Sequence, residues 1–506
     1  MTRITIPAPL GGVNLRDGIA NIQSPEAIVL NNLIPRPTCV ENRGATSSRG
    51  DAQVGEIRTL AGHPSGILAV GGFNGVQNYL RPFNTDTNAF GVAVAISANN
   101  APFWNSTLFK DLLILTNGAD TPQAMNAGGG FASLVITGVT AEDLWGCQTF
   151  KGRVFYWEEN AQSFWYAAAG AYQGALTEFD LSAYTVKDGY LFALVPLTID
   201  GGAGPDDLAA FVFSTGEVLL FQGDDPGDAN AWQQIGRFNI PNPIGPQSWV
   251  ITGSASIVGT VLGAVDLARA LAVGAYDVSA VVGQQVTGTA INALPSPIVN
   301  SQLLIVPNDN LLLWSRYPAD DYQGGADLQT LNMDLTAKKW SLFNNEATID
   351  GIGATCIGVC NNRLFLGDQY GQLHEYILTS TGDTIAVIGT QSNTKFAAVQ
   401  AYTDFGAPTN RKKVTAVSPI TECDSYATGT TGVTFGFNED YVPNTSNLIT
   451  TVNIPAASGA HSENFSRCAA NGFRLGLTWE QTAPYGGTGR YRWIATDVIL
   501  KTGGEM

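Results

Sequence analysis

The feature that most constrains this chain is a recurring unit: a short run of strand-forming residues, a two-residue turn, and a second run. WGCQTFKGRVFYWEE (145–159), LAAFVFSTGEVLLFQG (208–223), LLIVPNDNLLLWSR (303–316) and IGVCNNRLFLGDQYGQLHEYI (357–377) all have this form. The turns fall at Lys151-Gly152, Thr215-Gly216, Asp309-Asn310, Asn361-Asn362 and Tyr370-Gly371. Two-residue hairpin loops need positive φ, which Gly, Asn and Asp tolerate best. The runs around 57–80, 101–118 and 331–343 continue the pattern. Four-stranded blades occupy about 40–50 residues each, so the spacing predicts a β-propeller-like core over 51–395 with roughly six to eight blades. No WD or kelch signature accompanies the repeats, and an array of β-sandwiches is the alternative architecture.

Composition points the same way. Glycine is 57 of 506 residues, about 11% against a typical ~7%, and charged residues are only 14%. Gly, Asn and Thr disfavour helices, which predicts an all-β protein with few short helices. A chain this long exceeds one hydrophobic core, and three parts are expected. Residues 1–50 carry prolines at 7, 9, 25, 35 and 37 and read as an extended segment. Residues 51–395 form the propeller-like domain, and 396–506 read as antiparallel strands of a sandwich or platform. Two helices are expected. One spans 24–30, with Ser24 as N-cap and Pro25 in the first turn. The other covers 254–272, where apolar residues recur at 258, 261, 262, 265, 268, 271 and 272.

Acidic residues exceed basic ones by 43 − 26 = 17. Such a surface opposes gripping nucleic acid or anionic lipid, because both need Lys and Arg. It suits a wall past which DNA slides, and it equally serves plain solubility. The six cysteines include no CxxC pair, and Cys356 and Cys360 share one apolar strand. Buried reduced thiols are expected rather than a metal centre. The N-terminus lacks the apolar core of a signal peptide, and the stretch 256–276 is broken by Asp266 and Arg269, so no membrane insertion is expected.

Motifs of common chemistries are missing: GxxxxGK[ST], HExxH, GxSxG and the sialidase Asp box do not occur. No catalytic residue, cofactor or metal is therefore expected. The acidic cluster Gly223–Asp228 has carboxylates for a hard cation, yet Asp-Pro-Gly is also an ordinary turn. Arg411-Lys412-Lys413 reads either as a docking patch or as the solvated end of a strand.

Three stretches carry a resemblance. The first, residues 11–45, contains Gly11, Gly12, Asn14, Arg16, Asp17, Glu26, Ala27, Leu30, Asn32, Pro35, Val40, Glu41, Arg43 and Gly44 in a Gly-Gly-x-Asn-x-Arg-Asp … Glu-Ala … Val-Glu-x-Arg-x-Gly order. The second is FSTGEVLLFQGDDPGDANAWQQIGRFNIPNPIG (213–245). The third pairs LNMDLTAKKWSLF with NNRLFLGDQYGQLHEY. Together they resemble the tail nozzle (tail tubular protein B) of short-tailed bacteriophages. The resemblance implies a non-enzymatic virion protein, assembled in the host cytoplasm and located in the tail. It would form a homohexameric ring below the adaptor (head-to-tail connector) protein. It would touch tail fibre or spike proteins and pass genomic DNA without specific binding. The motif residues Gly11, Gly12, Asn14, Arg16, Asp17, Glu26, Asn32, Glu41, Arg43 and Gly44 would then serve subunit or adaptor contacts. The loop containing Asp200, Gly201, Gly202, Asp206 and Asp207 is a candidate channel lining. A tail receptor-binding or depolymerase protein acting on host surface glycans is the alternative.

Overall fold

In the computed structural model the described residues are 1–51, 55–99, 101, 103–200, 205–252, 255–273, 281–282, 298–318, 329–343, 354–378, 382–385, 390–393, 396–423, 431–441, 448–454, 459–462, 465–481 and 490–503. The fold is all-β, and its larger part is a β-propeller. Six antiparallel meanders follow one another in chain order, within 56–95, 105–133, 144–180, 191–239, 249–282 and 298–343. A last sheet has three strands within 354–377, takes its fourth from the N-terminal segment and is extended beyond it by Gly382–Ile385 and Thr390–Asn393. We number these sheets blades 1 to 7.

The turns read from sequence close the hairpins as expected. Lys151 and Gly152 have φ of 42° and 75°, and Asn361 and Asn362 have 50° and 59°. Each pair joins two antiparallel strands whose register shifts only at the far end, between Leu144 and Gly146 and between Ala354 and Cys356. Asn310 and Gly216 also take positive φ at their turns.

The blades stand against one another through apolar seams. Blades 3 and 4 share the most aromatic one, where Phe164 stacks on Phe211 at 4.9 Å and Phe221 on Trp232 at 5.4 Å. Blades 7 and 1 join through Cys356, Cys360 and Phe365 on one side and Ile57, Leu60 and Phe83 on the other. Gly62 and Gly358 lie in this last seam, where a Cβ would run into the Val359 carbonyl and into Leu60 respectively. Glycine is needed there for the two inner strands to approach.

The N-terminal segment is laced through the rest of the chain. It forms β1 (Thr2–Pro7), β2 (Ala27–Asn31), β3 (Leu33–Pro35), β4 (Val40–Asn42) and β5 (Ala45–Arg49). β5 pairs with Leu373–Ile377 and completes blade 7. β2 lies between the last strand of blade 6 and strand Ala397–Gln400, joining the propeller to a C-terminal sheet. β1 and β4 both pair with the C-terminal strand Tyr491–Thr502 in a second sheet with Lys412–Cys423. The two sheets enclose a sandwich core of Val414, Val417, Trp493 and Val498 with Phe435, Phe437, Leu477 and Trp479. That core is continuous with blade residues Trp314, Leu331 and Trp340.

Both helix expectations need correction. Residues 27–31 of the first are strand β2, because the backbone of Ala27 is already bonded to the Gly12 carbonyl and to the Asn14 amide. In the second, Ala255–Thr260 and Gly263–Asp266 are strands of blade 5, and only α1 (Leu267–Val273) is helical. Both strands are buried on both faces, so their apolar residues do not alternate and imitate helical spacing. The β-branched Ile257, Val258, Thr260 and Val265 favour the strand.

Candidate functional site

The resemblance motif splits into two clusters inside the chain. In the first, the backbone bends sharply at Gly12, whose φ is 77° and whose Cβ position lies 2.6 Å from the Trp340 carbonyl oxygen. A side chain there would be strained and would clash with blade 6. Gly11 packs as closely, with its Cβ position 2.8 Å from Glu26. Asn14 is buried at 2% exposure and uses both ends of its amide. Its Nδ2 donates to Asp17 at 2.9 Å and to Glu26 at 2.7 Å, while its Oδ1 accepts from the Arg16 and Asp17 amides. Arg16 pairs with Asp17 at 2.9 Å. The Arg16 and Asn14 hydrogen bonds hold the Asp17 carboxyl down at about 2.

The second cluster is a buried junction of β3, β4, blades 6 and 7, and the C-terminal strand. Arg36 binds Glu41 at 2.7 Å, Asp309 at 2.5 Å and Asp334 at 2.6 Å. Arg490 binds Glu41 and, at 2.7 Å, Asp309, and Arg492 approaches Glu41 at 3.4 Å. Three guanidiniums thus meet three carboxylates. Burial by itself would lower the Arg36 pKa, but Asp309 and Glu41 more than offset it and raise it. The Tyr376 hydroxyl donates to Asp309 at 3.0 Å and accepts from the Gly44 amide at 2.7 Å. Burial, with the Asp309 charge added, pushes that phenol far above its ordinary range. Beside the network Arg43 is 1% exposed, donates to Asn32 Oδ1 at 2.9 Å and lies 4.5 Å from the centre of the Phe343 ring. Asn32 takes a φ of 56° to turn between β2 and β3.

Most motif residues therefore fasten the N-terminal segment to its own chain; Arg16 and Asp17 keep more exposed side chains. Arg36, Asp309, Asp334, Tyr376, Arg490 and Arg492 were not singled out from sequence. The only local sign was that Asp309 sits in a recognised hairpin turn, and Asp334 precedes another, where it accepts the Thr336 and Ala337 amides.

The proposed channel loop is narrower than the sequence suggests. The hairpin of blade 4 continues its ladder to Asp200 opposite Pro205, with Asp206 opposite Ile199, so Asp200 and Asp206 belong to strands. Gly201 and Gly202 lie outside the described residues. Asp207 is exposed and accepts from the Thr198 hydroxyl at 2.9 Å. In the acidic cluster, Asp225 accepts the Gly227 amide and pairs with Arg153 at 3.0 Å, and Asp228 accepts the Asn230 amide. These carboxylates are engaged by a turn. The basic run is also divided: Lys412 is turned inward onto the Phe473 and Ala407 carbonyls, while Arg411 and Lys413 face outward.

Ser48, His374 and Asp368 have the order of a hydrolytic triad. His374 Nε2 meets Asp368 at 3.0 Å, and Ser48 Oγ lies 3.5 Å from Nδ1, a long contact. Asp368 also accepts the Tyr370 and Gln372 amides, so the group clamps a turn of blade 7.

The propeller axis holds a cavity of ≈300 Å³, lined by the inner strands. A chain of hydrogen bonds crosses it. Gln247 Nε2 donates to the Trp104 carbonyl at 2.7 Å, Gln302 Nε2 donates to Gln247 Oε1 at 2.8 Å, and Gln302 Oε1 accepts the Ile357 amide at 2.9 Å. Blades 2, 6 and 7 and the strand entering blade 5 are thereby tied across the centre. Cys147 is the one lining residue with a titratable side chain among those described, and burial pushes its thiol up to about 12.

No family model matches the chain, and no curated protein matches it either. Among solved structures, it is similar to YCF48 bound to D1 peptide, at 9% identity and a TM-score of 0.40, over 66% of this chain and 96% of that one. It is also similar to the Cps50 (Swd1) β-propeller domain of Myceliophteria thermophila, at 10% identity and a TM-score of 0.42, over 66% of this chain and 99% of the other.

Proposed function

We propose that this chain is a structural subunit of a bacteriophage tail, a nozzle-like protein that assembles into a homohexameric ring around the DNA-ejection channel below the portal–adaptor complex. The observation that carries the reading is the stretch 11–45, which bears the resemblance and ties propeller and sandwich together. A wall that holds back packaged DNA has to transmit load between its parts without opening. Strands shared between sheets and a buried ionic junction serve that purpose better than a linker. The net charge of −17 is in keeping with a surface along which phosphates pass without sticking. Ring closure would use heterologous contacts between copies.

The test is electron microscopy of the purified chain, alone and with portal and adaptor, together with its mass in solution. A six-fold ring is expected, formed alone or on the adaptor. A trimer, or a monomer that never docks on the portal–adaptor complex, would overturn the reading and favour a receptor-binding or depolymerase role on host glycans.

A further inference from the structure

The axial cavity has features that the ring reading leaves unused. Three tryptophans line it, Trp104, Trp157 and Trp249, together with the amides of Gln247 and Gln302 and the exposed Ser106 at its mouth. Trp157 is packed into the wall. It stands on the second strand of blade 3, directly opposite Gly146 on the inner strand. Because Gly146 has no side chain, the indole lies over the inner strand, with its Nε1 2.4 Å from where a Cβ would be; that contact explains the glycine. Trp157 is 4% exposed and its Nε1 has no hydrogen-bond partner. That N–H is sealed within the wall, so the polar groups open to a ligand are the two glutamine amides.

The same lining limits what that ligand is. No Asp, Glu, Lys, Arg or His is among the described lining residues, so a charged group would be desolvated without a counter-ion. A purely apolar ligand fits poorly too. Each glutamine amide spends one N–H in the cross-channel chain, and an apolar ligand would cover the second without accepting from it. At ≈300 Å³ the space is at the lower end of ligand pockets, which run to about 1,000 Å³. Aromatic faces for C–H surfaces and amides that donate to an oxygen describe one chemistry.

We propose that the axial cavity of the propeller binds a single uncharged, hydroxyl-bearing ring, a neutral sugar residue. Its hydroxyl oxygens accept from the second N–H groups of Gln247 and Gln302, and its apolar face rests on tryptophan. The site is independent of ring assembly, so a protein that fails to form hexamers can still bind sugar, and the reverse.

Tryptophan fluorescence of the intact protein is titrated with methyl α-glucoside, methyl α-galactoside and methyl α-mannoside, and with glucuronate as the anionic control. At least one neutral glycoside is expected to give a saturable change, with glucuronate at least tenfold weaker. Gln302→Leu and Trp249→Leu should each weaken that binding at least tenfold while the far-ultraviolet circular dichroism stays native. Gln302→Leu also breaks the cross-channel chain, so Ser106→Ala at the mouth serves as a milder variant, with a two- to fivefold loss expected. Saturation by none of the three glycosides, equal binding of glucuronate, or unchanged affinity in both Trp249→Leu and Ser106→Ala would overturn the proposal.

Discussion

The propeller seams and the N-terminal junction solve the same problem, holding sheets together, with opposite chemistries. The seam between blades 3 and 4 is built from aromatic rings donated by neighbouring meanders, with the ion pair of Arg153 and half-exposed Asp225 outside that aromatic cluster. The junction instead gathers Arg36, Glu41, Asp309, Asp334, Arg490 and Arg492 from segments far apart in the chain. Apolar seams are tolerant, since any well-packed set of side chains of the right volume holds them. A buried ionic cluster is demanding, since each charge is costly unless its partners are in place. The tolerant chemistry serves where the chain order already brings blades side by side. The demanding chemistry sits where only one arrangement of distant strands is acceptable.

The largest effect that would separate the two comes from removing residues 1–50. That deletion takes β5 from blade 7, β2 from between propeller and sandwich, and β1 from the C-terminal strand. Loss of cooperative unfolding and aggregation on expression are expected; a soluble protein with native circular dichroism would mean the propeller closes without its borrowed strand.

Next come two single substitutions of similar expected size but different origin. Asp309→Ala leaves Arg36 and Arg490 without their shared carboxylate and should cost about 3–5 kcal/mol. Phe164→Ala opens a cavity in the aromatic seam and should also cost about 3–5 kcal/mol. Urea unfolding measures both. The contrast lies in rescue: Phe164→Leu should recover most of the loss, whereas Asp309→Leu should not. Equal rescue would erase the distinction drawn between seam and junction.

A smaller effect is expected from Gly62→Ala. Its Cβ would meet the Val359 carbonyl where blades 1 and 7 close, and a cost of about 1–3 kcal/mol should appear as a lower melting temperature. No change would mean that this seam can widen.

The smallest concerns Asp17, whose carboxyl is held at about 2 against an ordinary 3.8 by Arg16 and Asn14. A depressed carboxyl contributes stability that is present above the ordinary value and lost as the pH falls through about 2. Asp17→Asn should therefore lower stability slightly at neutral pH and flatten the acid limb between about pH 4 and 2, where the two proteins converge. The side chains are exposed enough that solvent screening keeps the effect small. An identical acid limb in the variant would show that the pair is only a surface contact.

Much of the propeller was legible in the sequence because its signals are local. A hairpin turn must take positive φ within two residues, and Lys151-Gly152 and Asn361-Asn362 announce that need wherever they occur. Strand composition and glycine content excluded a helical fold for the same reason. The tertiary structure decided the rest. It turned 255–266 into strands buried on both faces, a pattern that apolar spacing cannot distinguish from a helix. It brought Arg36 to Asp309, 273 positions along the chain, and made β5 the fourth strand of a blade whose other strands begin at Ala354. It placed Gln247 and Gln302 across one cavity, although nothing near either residue marks it. Backbone conformation is set by neighbours a few residues away, and sequence carries it. A buried charge or amide is satisfied by whichever partner the completed fold delivers, and that partner exists only once the strands have found their sheets.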